Sequence, residues 1–112
     1  MELYHGTHNN LMGTGTAHEG MCFTESEESA QQYAGSNGTV YVIDIAGLNV
    51  VECEGYDRDE NYAPADSDSF RAAHAANGAD ILRYSDEDEN GREHECFRLV
   101  SEKAVAAVME QI

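Results

Sequence analysis

Polar and apolar residues alternate along several short stretches of the chain, and each such stretch predicts a β-strand. The first is Glu2-Leu3-Tyr4-His5. The clearest strand is Thr39-Val40-Tyr41-Val42-Ile43-Asp44-Ile45, marked by its branched and aromatic residues rather than by alternation, and turned by Ala46-Gly47. Asn49 to Glu54, Ala79 to Tyr84 and Glu93 to Val100 read as further strands. In the last of these, Glu93, Glu95, Phe97 and Leu99 point one way, and His94, Cys96, Arg98 and Val100 the other. Glu95 therefore shares a face with two apolar residues, which puts its carboxylate either at the edge of the core or into a cleft.

Helical patterns fall between the strands. Thr24-Glu25-Ser26-Glu27 fits a capping box, with Thr24 as the N-cap, and carboxylates in the first turn favour the helix dipole. This helix runs through Ser29 to Ala34 and stops at Gly35. Ala30, Tyr33 and Ala34 share one of its faces, and on that face alone Tyr33 reads as a core anchor with its hydroxyl at the rim. A second helix, capped by Ser67 or Asp68, runs through Phe70 to Ala76 and ends at Asn77-Gly78. His74 on it is a packing or surface residue. Ser101 opens a third helix through Met109. Loops cover residues 6 to 19, Gly55 to Asp66 with the sole proline Pro64, and Ser85 to Gly91, where Asn90-Gly91 signals a hairpin turn. These elements predict an α+β fold over residues 1–112 as one domain: a small, split, mostly antiparallel sheet with two or three short helices packed on it.

Charge changes the functional picture more than size does. The 112 residues carry 22 acids against 6 bases, a formal net charge of -16, and the first base is Arg58. A phosphate backbone needs a basic patch, so direct nucleic-acid binding is not expected. Such a field suits a protein partner with a basic surface; solubility or life in high salt would account for it equally. No 18-residue apolar run predicts a membrane span, and the N-terminus lacks the pattern of a signal peptide. Cys22, Cys53 and Cys96 are odd in number and form no CxxC, so reduced thiols in a cytoplasmic protein are expected. His5, His8 and His18 match no zinc spacing. Asp86 to Gly91 matches the opening of a calcium loop, but its twelfth position is Phe97 and its flanks read as strands, so an EF-hand is rejected. It remains an acidic hairpin loop, with an adventitious divalent cation as the alternative.

Candidate chemistry gathers at Leu3-Tyr4-His5-Gly6-Thr7 and Gly20-Met21-Cys22-Phe23-Thr24. A histidine at a strand end, beside a glycine that exposes its backbone, can hold a flat polar ligand. Tyr4-His5-Gly6-Thr7, Gly20-Met21-Cys22-Phe23, Ala30-Gln31-Gln32-Tyr33 and Glu95-Cys96-Phe97-Arg98-Leu99 together resemble the ADP-ribosyltransferase superfamily, in its diphtheria-toxin and poly-ADP-ribose-polymerase branch. Their order covers nearly the whole chain. The resemblance implies NAD as the substrate. His5 would bond its ribose, the Gly6 backbone would hold the nicotinamide amide, and Tyr33 would stack on the ring. Thr7 and Phe23 belong to the same cofactor-binding motifs. Glu95 would act with His5 as catalytic group, stabilising the oxocarbenium-like centre as nicotinamide leaves. The family's tyrosine in the second motif falls on Cys22. No basic residue precedes Arg58, so backbone amides or a distant Arg71, Arg83 or Arg98 would have to meet the pyrophosphate.

These residues support two functional expectations. The first is an NAD-dependent ADP-ribosyltransferase acting on a macromolecule, with His5, Tyr33 and Glu95 converging at one cleft. The second is a non-catalytic acidic binding protein on the same scaffold. A phage-type inhibitor, such as an anti-CRISPR protein that imitates DNA, would use the acidic loops at Asp57 to Glu60 and Asp86 to Glu89.

Overall fold

The computed structural model describes residues 1–7, 17–57, 59–87 and 91–112. The readings that fall on His8, Arg58, Asp88, Glu89 and Asn90 lie outside the described residues. The elements in chain order are β1 (Glu2–Thr7), β2 (Cys22–Thr24), α1 (Glu27–Ala34), β3 (Thr39–Asp44), β4 (Val50–Glu52), a 3-10 turn (Pro64–Asp66), α2 (Asp68–Ala76), β5 (Ile81–Glu87), β6 (Glu93–Leu99) and α3 (Glu102–Met109). The fold is α+β, and its six strands run β3-β1-β2-β6-β5-β4 across one sheet. Every pairing is antiparallel except that of β4 with β5.

The sheet is joined unevenly. β1 pairs with β3 all along its length, from Glu2 opposite Asp44 to Thr7 opposite Thr39. Toward β2, β1 offers only Tyr4 opposite Thr24. The two halves of the sheet therefore part beyond that one pair, as a split sheet requires.

Strand alternation sends the core to both faces. Leu3, Phe23, Ile43, Phe97 and Leu99 form one cluster with Ala104 and Val108 of α3. Leu82, Tyr84, Cys96 and Val100 form the other, with Ala63, Ala65 and, from α2, Phe70 and Ala75. The alternation expected for Glu93 to Val100 is thus realised. By register Tyr4 stands opposite Thr24, and Thr24 opposite Cys96, so Tyr4 and Gly6 share the second face. There α1 lies directly on β1. A Cβ at Gly6 would come within 2.1 Å of the Ala30 carbonyl oxygen, so only glycine lets the helix seat.

Several boundaries differ from expectation for local reasons. The N-cap of α1 is Ser26, whose hydroxyl accepts from Ser29 N at 3.1 Å. Thr24 is still in β2, and its hydroxyl accepts from Ser26 N at 3.1 Å. β4 is an edge strand and keeps only Val50 to Glu52 in register with β5. β5 runs on to Glu87, into the stretch expected as loop, because β6 supplies partners there: Ser85 meets Glu95, Asp86 meets His94 and Glu87 meets Glu93. The cysteines correct the expectation of three reduced thiols. Cys22 and Cys96 are joined as a disulfide between adjacent strands, and Cys53 is free. No described helix is long and apolar enough to cross a membrane.

Candidate ligand-binding cleft

Where β1 and β2 part, and under the side of α1, a cleft of about 590 Å³ opens. His5, Gly6, Phe23 and Tyr33, four of the residues expected at the site, line it. The His5 and Phe23 rings pack with centroids 5.3 Å apart at 50°. His5 Nδ1 lies 2.6 Å from the Cys22 carbonyl oxygen. A carbonyl only accepts, so Nδ1 carries the proton and the neutral ring leaves Nε2 as an acceptor. Burial pushes the His5 pKa below 6.5, against the bond to Cys22, with a smaller push from the charge of His18. Near neutral pH His5 is therefore an uncharged hydrogen-bonding group.

Tyr33 is 54% exposed, which corrects its reading as a core anchor. Ala30 and Ala34 alone occupy the buried face of α1, because the Gly6 contact brings the helix too close for a larger side chain there. Tyr33 instead presents its ring at the cleft. Thr7 is buried and does not line it.

Glu95 departs from the expected convergence. It is absent from the wall that His5 and Tyr33 share, and lines an adjoining pocket of about 300 Å³. Its carboxylate accepts from Arg83 Nε at 3.3 Å, and Arg83 reaches Glu52 at 3.6 Å on its other side. Alternation places Glu95 on the face of Phe97 and Leu99, as expected, and the bond from Arg83 of the neighbouring β5 holds its carboxylate apart from the cleft wall.

Two further residues, neither of them expected at an NAD site, stand at the cleft. Glu87 and His94 both line it. Glu87 lies in a polar run without alternation, and only its pairing with Glu93 makes it strand. His94 is legible in principle, since the period of β6 sets it on the face of Cys96. Its Nδ1 is buried with no hydrogen-bond partner. His94 also borders the adjoining pocket, together with Ser29 and Gln32, so the two spaces share a wall.

The arginines considered for a pyrophosphate are held elsewhere. Arg71 is buried and donates to Glu19 at 2.5 Å, to the Ala65 carbonyl at 2.8 Å and to Asp68. Burial would lower its pKa, but Glu19, Asp68 and Asp66 outweigh this and raise it. Arg98 donates to Tyr84 Oη at 2.9 Å, the Gly20 carbonyl at 2.8 Å and Asp66 at 2.7 Å. Burial pushes the Tyr84 phenol up to about 12, against the pull of Arg98, so it stays a neutral acceptor. Among the described residues, no lysine or arginine lines the cleft. Nor does any described group of three histidine, cysteine or acidic side chains stand ready to hold a metal ion.

The cleft thus brings aromatic rings, a neutral imidazole and a carboxylate together, with no lysine or arginine among its described walls. The fold and this site define a small α+β protein with a ligand-sized cleft at the split of its sheet. Comparison with family models, with curated proteins and with solved structures finds no match.

Proposed function

We propose that the chain is a small ADP-ribosyltransferase-like domain that takes the nicotinamide end of NAD into this cleft and transfers ADP-ribose to a macromolecule. The observation that carries the reading is the meeting of His5, Gly6, Phe23 and Tyr33 at one cleft. Tyr33 offers an exposed aromatic face, which favours the cationic nicotinamide ring. His5 Nε2 accepts from a ribose hydroxyl, and the β1 backbone at Gly6 meets the amide. When bound, NAD supplies a cationic leaving group, and positive charge grows on its ribose as the glycosidic bond lengthens. A carboxylate beside that carbon stabilises the transition state more than the ground state. Glu87 lines the cleft, and Glu95 lies beyond His94, tied to Arg83.

The test is a thermal melt with and without saturating NAD, on the wild type and His5→Ala. Ligand at a hundredfold excess over Kd adds about 2.7 kcal/mol, which raises the Tm of a domain this size by roughly 10–20 °C. The expected result is a shift in the wild type that His5→Ala abolishes. Absence of a shift in the wild type would sink the reading. Nicotinamide release by Glu87→Gln and Glu95→Gln then tells which carboxylate serves the reaction.

One observation favours a second reading. The adjoining pocket is walled by Glu25, Glu28, Glu93 and Glu95, on a chain of net charge -16. This supports a non-catalytic cytoplasmic inhibitor, of the anti-CRISPR or DNA-mimic kind, that covers the basic nucleic-acid-binding surface of a partner protein. Such activity would survive His5→Ala and be lost when the acidic residues are neutralised.

A further inference from the structure

We propose that the outer edge of β3 takes an extended, basic segment of a partner protein as an added strand. The inference stands apart from the NAD reading. β3 flanks β1 on the side away from β2 and the cleft, and pairing at its edge needs no bound NAD.

The backbone pattern fixes which groups face outward. Ile45 N donates to the Met1 carbonyl at 3.2 Å, in continuation of the antiparallel ladder that joins β3 to β1. Such a ladder bonds every second residue of a strand to its neighbour. Ile43, Tyr41 and Thr39 therefore turn their backbone groups to β1, and Asp44, Val42 and Val40 turn theirs outward. Gln111 follows the same phase. Its side-chain oxygen accepts from Asp44 N at 2.7 Å, and its amide nitrogen donates to the Asp44 carbonyl at 2.9 Å. That one amide takes the place of a strand residue. Among the described residues, no hydrogen bond reaches the outward groups of Val42 or Val40.

Native proteins blunt an exposed edge with lysine, proline, a bulge or a very short strand. β4, the opposite edge, keeps only Val50 to Glu52. β3 has 6 residues, and its register with β1 runs unbroken. It carries no lysine, arginine or proline. Val42, whose backbone faces outward, is 46% exposed. An edge left in this state can bind an extended peptide through main-chain bonds.

Charge selects the occupant. A second copy would bring another net charge of -16 against the first. A basic strand meets the opposite field. Glu2 stands opposite Asp44 on the face that Val42 shares, and both acids are exposed. Asp44 already meets the Met1 amino group at 3.3 Å, which leaves Glu2 as the carboxylate for a partner lysine. Two strand spacings, about 10 Å, separate Glu2 from the added strand, within the joint reach of a glutamate and a lysine.

The test is titration of the full chain with an acetylated peptide of alternating lysine and valine, followed by amide hydrogen exchange. One control peptide replaces valine by proline, which keeps the charge but cannot form a ladder. Another replaces lysine by glutamate, which keeps the ladder and reverses the charge. Only the lysine–valine peptide should bind, more weakly as salt rises. It should slow exchange of the Val40 and Val42 amides, which should be fast in the free chain. Val42→Pro removes an outward donor and spares the ladder to β1, so it should weaken the peptide about tenfold. Glu2→Gln should weaken it about threefold at low salt. If Val42→Pro does not fold, exchange in the wild type still decides. Equal binding of the lysine–proline peptide, or binding that leaves the Val40 and Val42 amides fast, would overturn the proposal by showing attraction through charge alone. Failure of the lysine–valine peptide to bind would overturn it outright. Protection of these amides that grows with protein concentration in the free chain would overturn it in favour of a second copy.

Discussion

At the scale of single residues, the structure separates groups that hold the fold from groups that face a ligand. Arg71 belongs to the first kind. It ties Glu19, the Ala65 carbonyl and Asp68 to one buried guanidinium. Arg71→Met keeps much of the side-chain volume but leaves the Ala65 carbonyl and the carboxylates of Glu19 and Asp68 without their donor, which should cost about 2–3 kcal/mol and lower Tm by roughly 10–20 °C. A smaller change in a melt would show that solvent already screens these contacts. His5 belongs to the second kind, and its burial has a pH consequence. Its folded pKa is lowered from 6.5, so in acid the unfolded chain takes up the proton first. The stability that neutral His5 permits is complete above pH 6.5 and is lost as pH falls from 6.5 through the lowered folded value. Urea unfolding of wild type and His5→Gln should therefore diverge in slope between about pH 7.5 and pH 5.5, with the variant less pH-sensitive. Parallel profiles would mean that His5 protonates in the folded protein as it does in water.

At the scale of elements, the contact of α1 with β1 governs the cleft. Gly6→Ala would drive a methyl group into the Ala30 carbonyl and lift the helix that carries Tyr33. The expected outcome is a loss of about 2–3 kcal/mol, together with loss of any ligand seen by the wild type. Retained binding would show that Tyr33 is not part of the site. The same contact explains what could and could not be read from the chain. Strand identity was legible where alternation was strong, as at Glu93 to Val100, and where branched and aromatic residues gathered, as at Thr39 to Ile45. The seat of α1 was not, because a helical face of Ala30, Tyr33 and Ala34 has the same period whether Tyr33 packs inward or looks out. Only the approach of Gly6 decides it. His5, Gly6, Phe23 and Tyr33 were found at one cleft because short motifs mark strand ends and helix starts. The face of Glu95 was legible from the period of β6, but its capture by Arg83 was not, since that pair needs β5 beside β6. Nor was the Cys22–Cys96 link, which depends on β2 lying beside β6 across 74 residues of chain.

At the scale of the whole molecule, the charge sets how salt acts. The principal extents are 37 × 35 × 22 Å. At 10 mM salt the screening length is about 30 Å, comparable to the protein, so every carboxylate senses nearly all the others. At 0.1 M it is about 10 Å, and only near neighbours interact. With 22 acids against 6 bases, repulsive pairs far outnumber attractive ones. Exposed ion pairs that salt would weaken, such as Arg83 with Glu52, contribute about 1 kcal/mol each at most. Repulsion should win, so Tm should rise steadily from 10 mM to 0.1 M salt and then level off. The triple substitution Glu25→Gln, Glu28→Gln and Glu93→Gln removes charge from one pocket wall. It should raise Tm at low salt and flatten the dependence. A Tm that falls with salt would mean that the arginine contacts of Arg71, Arg83 and Arg98 outweigh the long-range field. A Tm that keeps climbing far above 0.1 M, where screening is nearly complete, would point to a chain adapted to high salt, and the acidity would then need no basic partner to explain it.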